Sequence, residues 1–214
     1  MTGATAAVLV SGSGSNLQAL IDASQDGTLP LEIAVVVSNV PGVRGLERAA
    51  SAGIATECIP SRGYAERPTF EAALDAVLRR YRPDFLFLAG FMRILTAPFV
   101  RRYRGRMLNI HPSLLPKYPG LDTHRRVLAA GDCWHGCTVH FVTEELDGGP
   151  PIIQGRVPVE AGDDAESLAA RVLAVEHRIY PRAAALLATG RIELRGGAVR
   201  LDGDPLPEPL QFAI

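Results

Sequence analysis

The feature that most constrains this chain is a series of short, predominantly apolar runs separated by helix-length stretches. Residues 6–10, 31–37, 55–59, 85–89 and 107–110 are continuous rather than alternating in polarity, as strands covered on both faces should be. Between them, residues 16–26, 43–52, 67–81 and 96–104 carry helical patterns. This strand–helix alternation predicts βαβ units and the α/β class: an open, mostly parallel, twisted sheet with helices on both faces.

The pattern changes after Gly120. A helix is predicted over 123–130, a longer strand over 136–143, a turn at Asp147-Gly148-Gly149-Pro150 and a further strand over 152–159. A long helix follows over 164–189, with Leu168, Val172, Val175 and Ile179 at helical spacing. Pro181 is expected to kink or interrupt it. Residues 191–201 read as a small C-terminal hairpin around Gly196-Gly197. The chain shows no repeat, low-complexity block or linker, so its 214 residues are expected to form one domain.

Composition limits the function classes. A formal net charge of −1 argues against a protein that sweeps nucleic acid. No apolar run of roughly 18 residues spans a membrane, and no basic-then-apolar leader opens the chain. Cys58, Cys133 and Cys137 have no disulfide-framework spacing. These features lead to an expectation of a cytoplasmic protein with small-molecule substrates and neither nucleic-acid nor membrane partners.

The segment with most chemistry is Leu108-Asn109-Ile110-His111-Pro112-Ser113-Leu114-Leu115-Pro116-Lys117-Tyr118-Pro119-Gly120. Strand alternation sends residues i and i+2 to one face, so Asn109 and His111 can act on one substrate atom at the strand's C-terminal mouth. Asn109 could hydrogen-bond an oxyanion, or tie down the adjacent loop. Asp147 could orient and charge the imidazole, although Asp-Gly is also a common turn dipeptide and spacing alone does not bring the two together. Ser113 lacks a Gly-x-Ser-x-Gly elbow and is not expected to be a nucleophile.

At the other end, Ser11-Gly12-Ser13-Gly14-Ser15-Asn16 lies between a strand and a helix. Small residues let backbone amides close around an anion at the helix N-terminus, which suits a phosphate or carboxylate. A tight turn without ligand is the alternative. A dinucleotide fingerprint fails, because Leu17 occupies the third glycine position and Ser38-Asn39 the place of the acid. The segment Phe91-Met92-Arg93-Ile94-Leu95 suits either a loop lining a flat ligand's pocket or a helix start. The cluster Cys133-Trp134-His135-Gly136-Cys137 with His140 lacks a second ligand group, so no metal is expected. Core packing is predicted for its cysteines and exposure for His135. His124 could line the site or cap its helix.

Taken together, Ser-Gly-x-Gly-Ser-Asn, Ala-Gly-Phe-Met-Arg-Ile-Leu, Leu-Asn-Ile-His-Pro-Ser-Leu-Leu-Pro-Lys-Tyr-Pro-Gly, Val-His-Phe-Val-Thr-Glu-Glu-Leu-Asp-Gly-Gly-Pro and Glu176-His177-Arg178-Ile179-Tyr180-Pro181 resemble the phosphoribosylglycinamide formyltransferase family, from Ala7 to about Leu201. The resemblance implies transfer of the formyl group of 10-formyltetrahydrofolate, as co-substrate and without a metal, to the amine of 5-phosphoribosylglycinamide. It implies Asn109, His111 and Asp147 as the catalytic trio. It also implies Gly14, Ser15 and Asn16 on the substrate phosphate, with Glu176 on the sugar hydroxyls. Arg67, Met92, Arg93, Ile94, Leu95 and Asn109 are implied to bind the folate, and the loop from Thr143 to Asp147 to read the pterin edge through backbone groups. The halves at about 1–105 and 106–214 then serve the phosphate and the folate chemistry respectively, in a monomer or weak homodimer. Two departures stand out: Ser13 replaces a frequent asparagine, and Asp122 replaces a histidine that many members carry.

Three other readings remain at this point. Methionyl-tRNA formyltransferase shares the His-Pro-Ser-Leu-Leu-Pro loop, but the expected C-terminal RNA-binding domain and basic surface are missing. A formyltetrahydrofolate hydrolase would carry a regulatory domain ahead of the catalytic one. A non-catalytic phosphosugar-binding module explains residues 11–16 but leaves Asn109, His111 and Asp147 without a role.

Overall fold

Every second residue of the first apolar run faces the opposite way, and the fold gives both sets a core. In the computed structural model, which describes residues 3–212, β1 (Ala4–Val10) is fully buried from Ala6 onward. Ala6, Val8 and Val10 pack on one side with Leu17, Leu20 and Ile21 of α1 (Ser15–Gln25) and Val172 and Ile179 of α6 (Ala165–Ala188). Ala7 and Leu9 pack on the other with Phe70, Leu74 and Leu78 of α3 (Arg67–Tyr81) and Phe99 of α4 (Ala97–Arg102). Each fully buried Leu or Phe contributes about 1.5–3 kcal/mol. Two such layers are what continuous apolar strands require.

Parallel pairing joins β1 to β2 (Leu31–Ser38), β2 to β3 (Thr56–Cys58), β1 to β4 (Phe85–Leu88) and β4 to β5 (Met107–His111). The strands β6 (Trp134–Phe141) and β7 (Pro151–Pro158) extend the sheet antiparallel. With β11 (Leu210–Phe212), the described residues form an eight-stranded sheet in the order β11-β7-β6-β5-β4-β1-β2-β3, so strands from both halves of the chain share it. This is the mostly parallel α/β architecture expected from the sequence. The chain builds outward from β1 to β3, then crosses back to β4. The reversal beside β1 opens a crevice at the carboxyl ends of β1, β4 and β5, where ligands of open α/β sheets bind.

Several expectations are corrected. The run at 55–59 forms a strand of three residues, with Thr56 and Cys58 exposed, because β3 is the sheet's edge rather than an interior strand. Residues 210–212 form a strand not foreseen, β11 (Leu210–Phe212), which pairs parallel to β7 at the opposite edge. The C-terminal hairpin of β8 (Ile192–Arg195) and β9 (Ala198–Leu201) gains a third strand, β10 (Asp204–Pro205).

The helix α6 runs as one element through Pro181, which sits half-buried beside the buried Ile179, Tyr180, Ala183 and Ala184. Proline removes the donor for the His177 carbonyl, but packing on both sides of it holds the helix together. The helix starts at a full capping box, where the Asp164 carboxylate accepts from the Ser167 amide at 2.8 Å. Tyr180 donates its buried hydroxyl to the Leu88 carbonyl at 2.9 Å, tying α6 to the strands under the crevice.

Candidate active site

The strand β5 carries Asn109 and His111 to its last turn and ends there. His111 is 6 % exposed, and its Nε2 donates to the Tyr118 carbonyl at 2.9 Å, so the proline-rich loop folds back over the imidazole. On the other side Nδ1 lies 3.5 Å from Asp147 Oδ2. Both ring nitrogens therefore face acceptors. Asp147 adopts a left-handed backbone (φ 51°), which suits its Asp-Gly turn and swings the carboxylate back to the strand ends. The same Oδ2 accepts from the Gly120 amide at 2.8 Å, fastening the 112–120 loop to the 143–150 loop. Asp147, which sequence spacing could not connect to the strand, thus meets His111 at the end of β5.

A fourth group joins them, one to which the sequence attaches no catalytic expectation. His140 of β6 lies directly across from Asn109 in the antiparallel register, and its Nε2 is 3.1 Å from Asn109 Nδ2. It is 2 % exposed, and burial pushes its pKa down to about 4. Ser113 is fully buried and donates to the Lys117 carbonyl at 2.6 Å, a loop-closing role. The expected exposure of His135 is wrong. It is buried under α5 (Thr123–Ala130), 3.0 Å from His124 Nδ1, with a pKa lowered by burial to about 4. Cys137 is buried as expected, whereas Cys133 is exposed just ahead of β6.

Across the crevice, the glycine-rich loop turns into α1 at Gly14, whose φ is 68°. A Cβ there would lie 2.6 Å from the Gly45 Cα, so α2 (Arg44–Ser51) is packed against bare backbone. Gly45 in turn donates its amide to the Gly12 carbonyl at 3.0 Å. Arg48, not singled out in the sequence, reaches the loop with its Nε donating to the Ser13 carbonyl at 2.9 Å. The Asn16 side chain donates to Glu176 Oε2 at 2.6 Å, and burial raises the Glu176 pKa. Asn16 Oδ1 is buried without a partner among the described residues. A buried polar pair with an acceptor oxygen to spare thus lies at the first turn of α1.

The likeness to known proteins agrees with this geometry. Residues 4–184 match the formyl transferase family model. The chain belongs to the formyl transferase family. It is 51 % identical over 200 residues to the phosphoribosylglycinamide formyltransferase of Escherichia coli (strain K12), covering 94 % of each chain. It is 48 % identical to the human trifunctional purine biosynthetic protein adenosine-3, over 89 % of this chain but 19 % of that protein. The solved phosphoribosylglycinamide formyltransferase of Coxiella burnetii, in complex with CHES, superposes with a TM-score of 0.94 at 47 % identity, covering 98 % of this chain and 99 % of that one.

Between the two ends of this formyl transferase crevice lies the segment 90–96, an irregular loop rather than a helix start. Its Met92 and Ile94 are 67 % and 51 % exposed, and Leu146 across the crevice is 54 % exposed. The Met92 amide donates to Ser11 Oγ at 2.8 Å, and Ser11 donates to Asn39 Oδ1, linking this loop to the glycine-rich turn. Arg93 stacks its guanidinium 4.9 Å over the Phe70 ring, while Arg67 opens α3 one turn earlier on the exposed side. Neither arginine has a carboxylate within 4.0 Å among the described residues. Two free cations beside exposed apolar side chains suit a flat ligand with an acidic tail.

Proposed function

We infer that the protein transfers the formyl group of 10-formyltetrahydrofolate to the amine of 5-phosphoribosylglycinamide, a step of de novo purine biosynthesis. The observation that carries this reading is the meeting of Asn109, His111 and Asp147 at the end of β5, in a chain alike throughout its length to phosphoribosylglycinamide formyltransferases. In this reading the backbone of Gly14, Ser15 and Asn16 holds the phosphate, and Glu176 the ribose hydroxyls. The folate lies along Met92 to Leu95, with Arg67 and Arg93 toward its carboxylates. The whole chain works as one catalytic unit.

The amine nitrogen attacks the formyl carbon and its electron pair forms the new C–N bond. The carbonyl π electrons move to oxygen, giving a tetrahedral oxyanion. The second N–H of Asn109 stabilises that oxygen, with the His111 imidazole beside it. Asp147 holds the His111 ring in place and passes a proton from the former amine toward the folate nitrogen. Collapse of the oxyanion breaks the bond from the formyl carbon to that nitrogen, and tetrahydrofolate leaves. Holding both substrates in one crevice supplies much of the remaining acceleration.

The test is to follow tetrahydrofolate formation with and without phosphoribosylglycinamide. Release that requires the amine supports formyl transfer. Release without it would point to a hydrolase, and no release in either case would refute the reading.

A further inference from the structure

We propose that His140 is a positioning residue that sets which way round the Asn109 amide sits, and so presents an N–H rather than a carbonyl to the reacting oxygen. The argument begins at the other ring nitrogen. His140 Nδ1 lies 2.9 Å from the carbonyl oxygen of Phe141. A carbonyl only accepts, so Nδ1 carries a hydrogen. The chain just after Asp147 seals this contact. A Cβ on Gly149 would fall 1.7 Å from the Phe141 oxygen and 3.3 Å from His140 Nδ1, so only glycine lets the loop close so tightly over the pair.

With Nδ1 protonated and the ring neutral, Nε2 is a lone pair. The groups around it favour that state as a whole. Burial disfavours the cation and His111 opposes it, while Asp147, whose Oδ1 is 3.9 Å from Nε2, and the Phe141 carbonyl favour it without prevailing. The Nε2 lone pair is 3.1 Å from the Asn109 side chain. Were the Asn109 amide turned over, two acceptors would face each other in a site that is 2 % exposed at His140. The amide nitrogen therefore turns to His140, and one of its hydrogens is used there. Asn109 makes no other side-chain hydrogen bond among the described residues, which leaves its second N–H free. Antiparallel pairing of Asn109 with His140 fixes the two backbones that carry this contact.

The inference rests on the reading of Asn109 as donor to the formyl oxygen, and its tests separate the two. Nitrogen-15 spectra of histidine-labelled protein report the His140 tautomer without any turnover. A protonated Nδ1 with an unprotonated Nε2 is expected, and the opposite tautomer would overturn the inference whatever the enzyme does. In steady-state assays, His140→Asn keeps a donor for Phe141 but lacks the acceptor for Asn109. It should lower kcat about tenfold to a hundredfold, a share of what losing an oxyanion donor costs, with both KM values within about threefold. His140→Gln, whose carbonyl reaches the Nε2 position, should recover part of the loss. In an Asn109→Ala background, His140→Asn should cost nothing further in kcat. Losses that multiply, or that fall on KM instead, would show that His140 merely holds the fold.

Discussion

Replacing Gly14 with alanine tests the anion loop more sharply than removing any side chain, because the affected contact is backbone against backbone. The new Cβ would sit 2.6 Å from the Gly45 Cα, against about 3.5–4.0 Å for an ordinary carbon contact. Either the loop or the first turn of α2 must move by about an ångström, and neither is a flexible side-chain end. Alanine at φ 68° adds strain of about 1–2 kcal/mol, and overpacking about 1–3 kcal/mol. The sum, about 2–5 kcal/mol, corresponds to a Tm lower by roughly 4–20 °C for a chain of this size. If the loop moves, the amides of Gly14 to Asn16 leave their alignment. The KM for phosphoribosylglycinamide should then rise about tenfold for each 1.4 kcal/mol of binding lost. Differential scanning fluorimetry, with initial rates at saturating 10-formyltetrahydrofolate, reads both effects. Gly45→Ala is the internal comparison. Its Cβ would meet Val10 Cγ2 at 3.1 Å and the Gly12 carbonyl at 3.2 Å, so a smaller loss is expected. An unchanged Tm, or a rise in folate KM equal to that for the phosphate substrate, would refute the assignment.

Asp147→Asn keeps the size of the side chain but loses the charge 3.5 Å from His111 Nδ1, so kcat should fall about a hundredfold to ten-thousandfold. Collapse of substrate affinity in parallel would remove Asp147 from the proton path. Arg93→Ala and Arg67→Ala should raise folate KM and leave that of phosphoribosylglycinamide unchanged; the reverse pattern would move the folate elsewhere. Glu176 has its pKa raised by burial, so its ionisation opposes folding, and that opposition grows as pH climbs from the ordinary glutamate value through the raised one. Glu176→Gln should therefore raise Tm at pH 7 while weakening substrate binding, and a lower Tm at pH 7 would contradict the sign. His135 and His140, each lowered to about 4, are stabilising in their neutral forms above the ordinary histidine value. That stability should fall as pH drops from about 6.5 toward 4, and a flat denaturant midpoint across that window would speak against their burial as neutral rings.

What the sequence made legible follows from which forces act locally. The parallel sheet was readable because a strand buried on both faces must be apolar at consecutive positions, as β1, β2 and β4 are. The Gly14 turn was readable because a left-handed residue leading into a helix favours glycine. Asn109 and His111 shared a face by alternation alone. The strand β11 was not readable, since three residues with one exposed glutamine carry no periodicity, and only the open edge of β7 gives them a partner. Pro181 misled because propensity predicts a break that packing on either side overrides.

The more instructive failure is His140. A tight turn would have fixed the pairing of β5 with β6 and made the Asn109–His140 opposition visible from sequence. Here the proline-rich loop and α5 intervene between the two strands, so no local rule sets the register. It is set instead by contacts made only once the chain has folded. Leu115 donates its amide to Thr138 Oγ1 at 3.1 Å, and that hydroxyl donates to the Ser113 carbonyl at 2.7 Å. These bonds pin β6 to the loop that leaves β5, with Thr138 opposite His111 and His140 opposite Asn109. A slip of one residue would bring Val139 opposite Asn109 and turn the imidazole to the other face of the sheet. The bonds that tie the start of the proline-rich loop to β6 therefore also deliver His140 to Asn109.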